Sequence, residues 1–154
     1  MGLKTKSFFD KLGRKTWMAE NFADFNPATL STISDGVDGS KDKVVKTEYD
    51  GLDNVSRVSA YNGSSSQIEI TQYLYEDAVD ASYNTNIIYP DSSDTTSSGT
   101  NQVKVAFNID GTISQRTDQR GSTISFSFGN RRQLQSEKVT TLGSSTDGTV
   151  RSIT

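Results

Sequence analysis

The sequence predicts a mainly β protein: an antiparallel sandwich or small barrel of short strands, preceded by a non-β N-terminal arm. Three observations carry that expectation. Ser and Thr together number 40 in the 154 residues, against 2 Pro, and hydroxyl side chains compete with the backbone inside helices while suiting strands and turns. From Val44 onward, apolar residues recur with a period of two. Turn dipeptides such as Asn62-Gly63 and Asp110-Gly111 punctuate those runs at short intervals.

Composition limits how such a chain is stabilised. Val, Leu, Ile and Phe number 33, about a fifth of the chain and close to the range of roughly 20% below which cores fail to form. The net charge of −3 is too small to force disorder. The expectation is one modest core with long polar appendages. Cysteine and histidine are both absent, which removes disulfides, thiol chemistry and any imidazole base or ligand. No apolar run approaches the ~18 residues of a membrane helix, and no secretory h-region opens the chain, so no membrane span is expected.

Residues 1–25 differ from the rest. Up to Met18, Lys4, Lys6, Lys11, Arg14 and Lys15 oppose only Asp10, while Phe8, Phe9, Leu12, Trp17, Phe22 and Phe25 concentrate the aromatic and apolar groups. Phe8 and Leu12 have the i, i+4 spacing of one helix face, interrupted by Gly13. The segment reads as a basic aromatic arm that docks on its own domain or on a neighbouring subunit. Phe8, Phe9, Leu12, Arg14, Lys15 and Trp17 are its candidate assembly contacts.

Residues 26–142 read as a single β domain. It opens on a connection with turns at Asp35-Gly36 and Asp38-Gly39. Val44 to Tyr49 and Val55 to Tyr61 follow as strands about the turn-rich Asp50 to Asn54, and Asn62-Gly63 leads to a strand over Ile68 to Tyr75. Asn86 to Tyr89 is a short strand stopped by Pro90. The polar stretch 91–102 then reads as a mobile or assembly-facing loop. Val103, Val105, Phe107 and Ile109 alternate up to Asp110-Gly111, a type I′ turn signal. Thr112 to Thr117 and Thr123 to Phe128 are further strands, and Arg131 to Thr141 is a candidate last one. The sum is about seven short strands. Residues 143–154 form a polar tail, loose unless a partner orders it.

Candidate chemistry is sparse. Glu76, Asp77 and Asp80 offer carboxylate oxygens, but the EF-hand order and its central glycine are missing, so a solvated loop is the plainer reading. Asp50 and Asp53 suit turn capping. Ser and Thr are plentiful, yet no G-x-S-x-G elbow or phosphate loop is present. Arg131, Arg132 and Lys138 make a basic patch too small for nucleic-acid recognition. No enzymatic activity, metal or cofactor is expected. Tyr73, Tyr75, Tyr83 and Tyr89 form a candidate ligand surface for carbohydrate, with cross-strand packing as the alternative.

The stretch Tyr49-Asp50, Asn54-Val55, Val58 resembles the YD-type β unit, in which Tyr-Asp precedes a turn and an alternating strand. A fainter echo runs through Tyr73-Leu74-Tyr75-Glu76, Asn86-Ile87 and Tyr89-Pro90-Asp91. Together with the SFFDKLGRKTW start, these segments look similar to small structural proteins of tailed-phage particles. That resemblance implies β-hairpins and a multi-copy virion component of tail, neck, baseplate or head surface. It implies a homo-oligomer in contact with other virion proteins. The alternative is a β module that binds a host-surface glycan.

Overall fold

The computed structural model describes residues 4–22, 25–28, 43–62, 68–145 and 152–153. Its strands are β1 (Thr5–Phe9), β2 (Lys15–Glu20), β3 (Lys43–Tyr49), β4 (Val55–Asn62), β5 (Ile68–Leu74), β6 (Asn86–Ile88), β7 (Val103–Phe107), β8 (Ile113–Thr117), β9 (Thr123–Phe128), β10 (Leu134–Thr141) and β11 (Ser152–Ile153). Each strand neighbours the next in sequence, from β1 at one end to β11 at the other. The strand pairs for which a register is resolved are antiparallel. The mainly β, antiparallel expectation holds. The sandwich or small barrel does not follow, because a barrel must pair its first strand with its last. Here the ladder is open.

The chain divides into two compact units, Met1–Thr71 and Gln72–Thr154. The non-β arm is also corrected. Thr5–Phe9 and Lys15–Glu20 pair as a hairpin, with Lys6 opposite Ala19 and Phe8 opposite Trp17. The helical spacing of Phe8 and Leu12 is therefore incidental: Phe8 lies on a strand and Leu12 in the turn. In the tail, Ser152–Ile153 pairs with Glu137 and Lys138. The turns expected at Asp35-Gly36, Asp38-Gly39 and Gly63 lie outside the described residues.

Five tight hairpins share one turn: Asp10–Arg14, Asp50–Asn54, Asn108–Thr112, Asp118–Ser122 and Gly129–Gln133. In each, the first residue's amide donates to the fifth residue's carbonyl, and the fourth residue's amide donates back to the first carbonyl. The fourth residue always has positive φ: Gly13 (80°), Asp53 (66°), Gly111 (84°), Gly121 (84°) and Arg132 (58°). This is the three-residue hairpin loop, a tight turn followed by a left-handed residue. The extra residue is absorbed as a register shift at Phe8/Phe9, Glu48/Tyr49 and Ala106/Phe107. Asp110-Gly111 is thus not a two-residue type I′ turn, since only Gly111 carries positive φ. Ile109 lies in that turn at 86% exposure instead of continuing the buried face of β7.

The apolar core is small. In the first unit Ala19, Phe25, Val44 and Tyr61 are buried, with Phe8, Trp17 and Phe22 packed around them. Phe8, Trp17 and Val44 share one face because the registers place Phe8 beside Trp17 and Ala19 beside Val44. Phe25 closes over that face, edge-on to Phe8 at 6.0 Å and tilted against Trp17 at 5.6 Å. In the second unit the buried apolar residues are Ile88 and Val103.

Replacing Gly121, whose φ is +84° with open space where a Cβ would sit, tests the turn without steric interference. Gly121→Ala should lower stability by about 1–2 kcal/mol and Gly121→Asn by less, since asparagine tolerates the left-handed region. Equilibrium denaturation of the two variants provides the comparison.

Candidate functional site

The most organised polar cluster joins the two hairpin tips of the first unit. Asp10 Oδ1 accepts the amides of Leu12 (2.9 Å) and Arg14 (3.0 Å), and Asp50 Oδ1 accepts those of Leu52 (2.8 Å) and Asn54 (2.9 Å). Each carboxylate satisfies loop amides that would otherwise face water or nothing. Arg14 then ties the tips together. Its Nε donates to Asp10 Oδ2 at 2.7 Å and its Nη1 donates to Asp53 Oδ1 across the gap. Its guanidinium also lies 4.6 Å from the centre of the Tyr49 ring, while the Tyr49 hydroxyl donates to the Lys15 carbonyl at 2.9 Å. The Tyr49-Asp50 pair is therefore a joint between neighbouring hairpins: the ring and hydroxyl reach sideways and the carboxylate closes the turn.

Charge follows geometry. Partial burial pushes the Asp10 carboxyl up, but hydrogen bonds from the Arg14 side chain and from the Arg14 and Leu12 amides outweigh it and hold the group below its usual range. Burial likewise pushes the Asp50 carboxyl up, but hydrogen bonds from the Asn54 side chain and from the Leu52 and Asn54 amides outweigh it and hold the group low. The Arg14 guanidinium is raised, chiefly by its hydrogen bond to Asp10.

Around this staple three apolar side chains stand in solvent: Phe9 at 62% exposure, Leu12 at 73% and Leu52 at 65%. Leu12 and Leu52 occupy the same third position of their two turns. Of the six candidate assembly contacts, the structure thus brings Phe9, Leu12 and Arg14 to the tips. Lys15 is exposed beside them. Phe8 and Trp17 instead belong to the packed face, with Trp17 5.8 Å from Tyr61 and Lys46 Nζ 5.7 Å from the Trp17 ring.

The second unit repeats the arrangement in weaker form. Arg132 Nε lies 3.9 Å from Asp110 Oδ2, linking the β7–β8 and β9–β10 turns. Thr112, through its hydroxyl and then its amide, holds Asp110 low, with Arg132 adding to the effect. The β7–β8 turn also receives Tyr83, whose ring packs 4.6 Å from Phe107. A Cβ on Gly111 would lie 2.5 Å from the Tyr83 hydroxyl. Tyr83 is therefore a packing residue. Tyr73, Tyr75 and Tyr89 are half-buried, and Tyr73 sits in the β5–β6 ladder opposite Ile87.

In the acidic group Glu76, Asp77 and Asp80, the two aspartates are spent on local turns. Asp77 Oδ1 accepts the amides of Val79 and Asp80, and Asp80 Oδ1 accepts the amide and hydroxyl of Ser82. Among the described residues no group of three or more His, Cys, Asp or Glu side chains is placed to hold a metal ion, and no helix is long and apolar enough to cross a membrane. The fainter YD echo is displaced too. Tyr73-Leu74 lies on β5, followed by a long connection, whereas further copies of the turn begin at Phe9-Asp10, Phe107-Asn108, Thr117-Asp118 and Phe128-Gly129.

Residues 91–102 are not a loose insertion. Gln102, fully buried, accepts from Asn86 Nδ2 at 2.6 Å and donates to the Thr96 carbonyl at 2.9 Å. Lys104 Nζ donates to the Ser97 carbonyl at 2.9 Å, and Asp94 Oδ2 accepts the Asn101 amide at 2.8 Å. The loop is folded back and pinned to β6 and β7. A recess of about 270 Å³ opens beside it, lined by Thr85, Asn86, Ser97, Lys104, Gln115 and Thr117 among others. A second, of about 250 Å³, lies in the first unit, with Met18, Val45 and Ala60 among its walls.

No protein-family model matches the chain, and no curated protein matches it.

Two tests follow from these contacts. The depressed carboxyls of Asp10, Asp50 and Asp110 contribute stability that is complete above the unfolded value of about 3.9 and is lost as pH falls through the lower folded values. Denaturation midpoints should be level near neutrality and drop on acidification below about pH 4, and Asp50→Asn, which keeps an oxygen acceptor, should make that drop shallower. Separately, Gln102→Ala should cost about 1–3 kcal/mol by stranding Asn86. The double variant with Asn86→Ala should lose less than the sum of the single losses, which a double-mutant cycle measures directly.

Proposed function

We propose that the protein is a non-enzymatic structural component of a tailed-phage virion, in the tail, neck, baseplate or head surface, and that it works through subunit–subunit contacts. The observation that carries this reading is the exposure of Leu12 and Leu52 in two turns that Arg14 links, and of Phe9 beside the first of them. Apolar side chains on mobile loops can fold away from water, but these are fixed by capped turns and a cross-tip guanidinium. Exposed apolar side chains on or beside tips that are held in place, with charged groups near them, are the anatomy of an interaction site. The phage assignment itself rests on the resemblance of the YD-type turn and the SFFDKLGRKTW start. The glycan-binding alternative draws less support, because Tyr83 is committed to Phe107.

Removing residues 1–25 is not a clean test, because Phe8, Trp17 and Phe25 belong to the core. Point changes at the tips are better. Burying a leucine contributes about 1.5–3 kcal/mol, so Leu12→Glu and Leu52→Glu should each weaken incorporation into particles by tenfold or more. Their denaturation midpoints should stay near that of the parent. Normal incorporation of the folded double variant would overturn the reading.

A further inference from the structure

β1 ends the strand order, and among the described residues β2 is its one partner. An edge of this kind presents unpaired amides and carbonyls to any strand that can lie beside it. We propose that β1 pairs antiparallel with β1 of a second copy of this chain, about a two-fold axis through Ser7. This rests on the assembly reading above and names its partner, edge and register.

The register follows from symmetry and charge. A two-fold axis normal to a sheet keeps each face on its own side, so residues of equal parity must meet. β1 spans Thr5–Phe9, and full overlap centres the axis on Ser7. That sets Thr5 against Phe9 and Lys6 against Phe8 of the second copy. Centring on Lys6 would oppose two lysines directly, which destabilises a ladder. Centring on Phe8 would shorten the overlap to Ser7–Phe9.

Only the Ser7 register uses the whole strand without placing like charges opposite each other. It also places Lys4 against Asp10 of the second copy, an opposite-charge pair just beyond the strand ends. An edge lysine ordinarily guards against pairing. Here Lys6 already rests on aromatic rings, its Nζ 5.1 Å from the centre of Phe8 and 4.7 Å from that of Phe22. In the paired edge the same cation meets an equivalent ring on the second copy, so charge that would repel another edge is matched by this one. The aromatic face running through Trp17 and Phe8 would then continue into Lys6 and Ala19 of the copy, and the exposed Phe9 would gain Thr5 as a neighbour.

The chain has no cysteine, so single thiols report the register. Thr5, Ser7 and Phe9 are all exposed and tolerate substitution. With a short thiol-to-thiol cross-linker, Ser7→Cys should yield a covalent dimer in high proportion. Thr5→Cys and Phe9→Cys alone should not, because each would lie about 14 Å from its own copy at ~3.4 Å per residue. The double variant Thr5→Cys/Phe9→Cys should cross-link. Absence of a Ser7→Cys dimer in folded protein, or equal cross-linking of all three single variants, would overturn the proposal. So would a monomer in sedimentation at every concentration. If the Leu12 and Leu52 variants fail to incorporate while Ser7→Cys stays uncross-linked, the edge proposal falls alone. If Ser7→Cys cross-links while the tip variants incorporate normally, the tip reading falls instead.

Discussion

A carboxylate oxygen that accepts two main-chain amides closes the hairpins at Asp10, Asp50 and Asp118, and the ladder depends on it. Each tight turn fixes where one strand stops and the next begins, and hence which side chains face which way. In a sheet a slip of one residue would move every inward side chain outward. With so few fully buried apolar residues among those described, burial alone is a weak guarantor of register in these strands. The turns supply locally what a larger core would supply globally. Neighbour-to-neighbour pairing also keeps contacts short in sequence, which limits the loop-closure entropy opposing folding.

Much of this was legible. The period-two runs at Val44 to Tyr49, Val55 to Tyr61 and Thr123 to Phe128 match β3, β4 and β9 closely, because alternation reflects a half-buried strand whatever its neighbours do. The first hairpin was hidden by composition. Lysines and aromatics in Lys4 to Trp17 suggest an arm, and Phe8 and Leu12 have helical spacing, while the informative signal was Phe9-Asp10 with Gly13 three residues on. The same spacing recurs at Asn108 to Gly111 and Asp118 to Gly121. At Asp110-Gly111 a strong dipeptide signal masked a loop one residue longer. At Asp53 and Arg132 no glycine marks the left-handed position, so spacing alone shows it.

The contacts that were not legible join residues remote in sequence. Asn86 and Gln102 lie in polar surroundings, and no periodicity says that they meet in the interior. Once buried, their amides must be matched, since an unpaired amide costs more than the pair contributes. That constraint makes residues 91–102 part of the fold. Arg14 is similar in kind: its charge is plain, but its role depends on two turns that only strand pairing brings together.

In the proposed assembly, edges and tips divide the work. Asp10, Asp50, Arg14 and Tyr49 hold two hairpin ends in fixed relation, which leaves Phe9, Leu12 and Leu52 in water with little freedom to withdraw. Rigidity reduces the ordering entropy a partner must offset on docking. The guanidinium at the centre of the tips is already engaged by Asp10, Asp53 and the Tyr49 ring, so an arriving surface need not supply a counter-charge to it. Its complement would be apolar at the centre, with the polar or acidic groups that exposed Lys11 and Lys15 prefer at the rim. A protein surface would satisfy both, which is the physical support for the assembly role proposed for the tips.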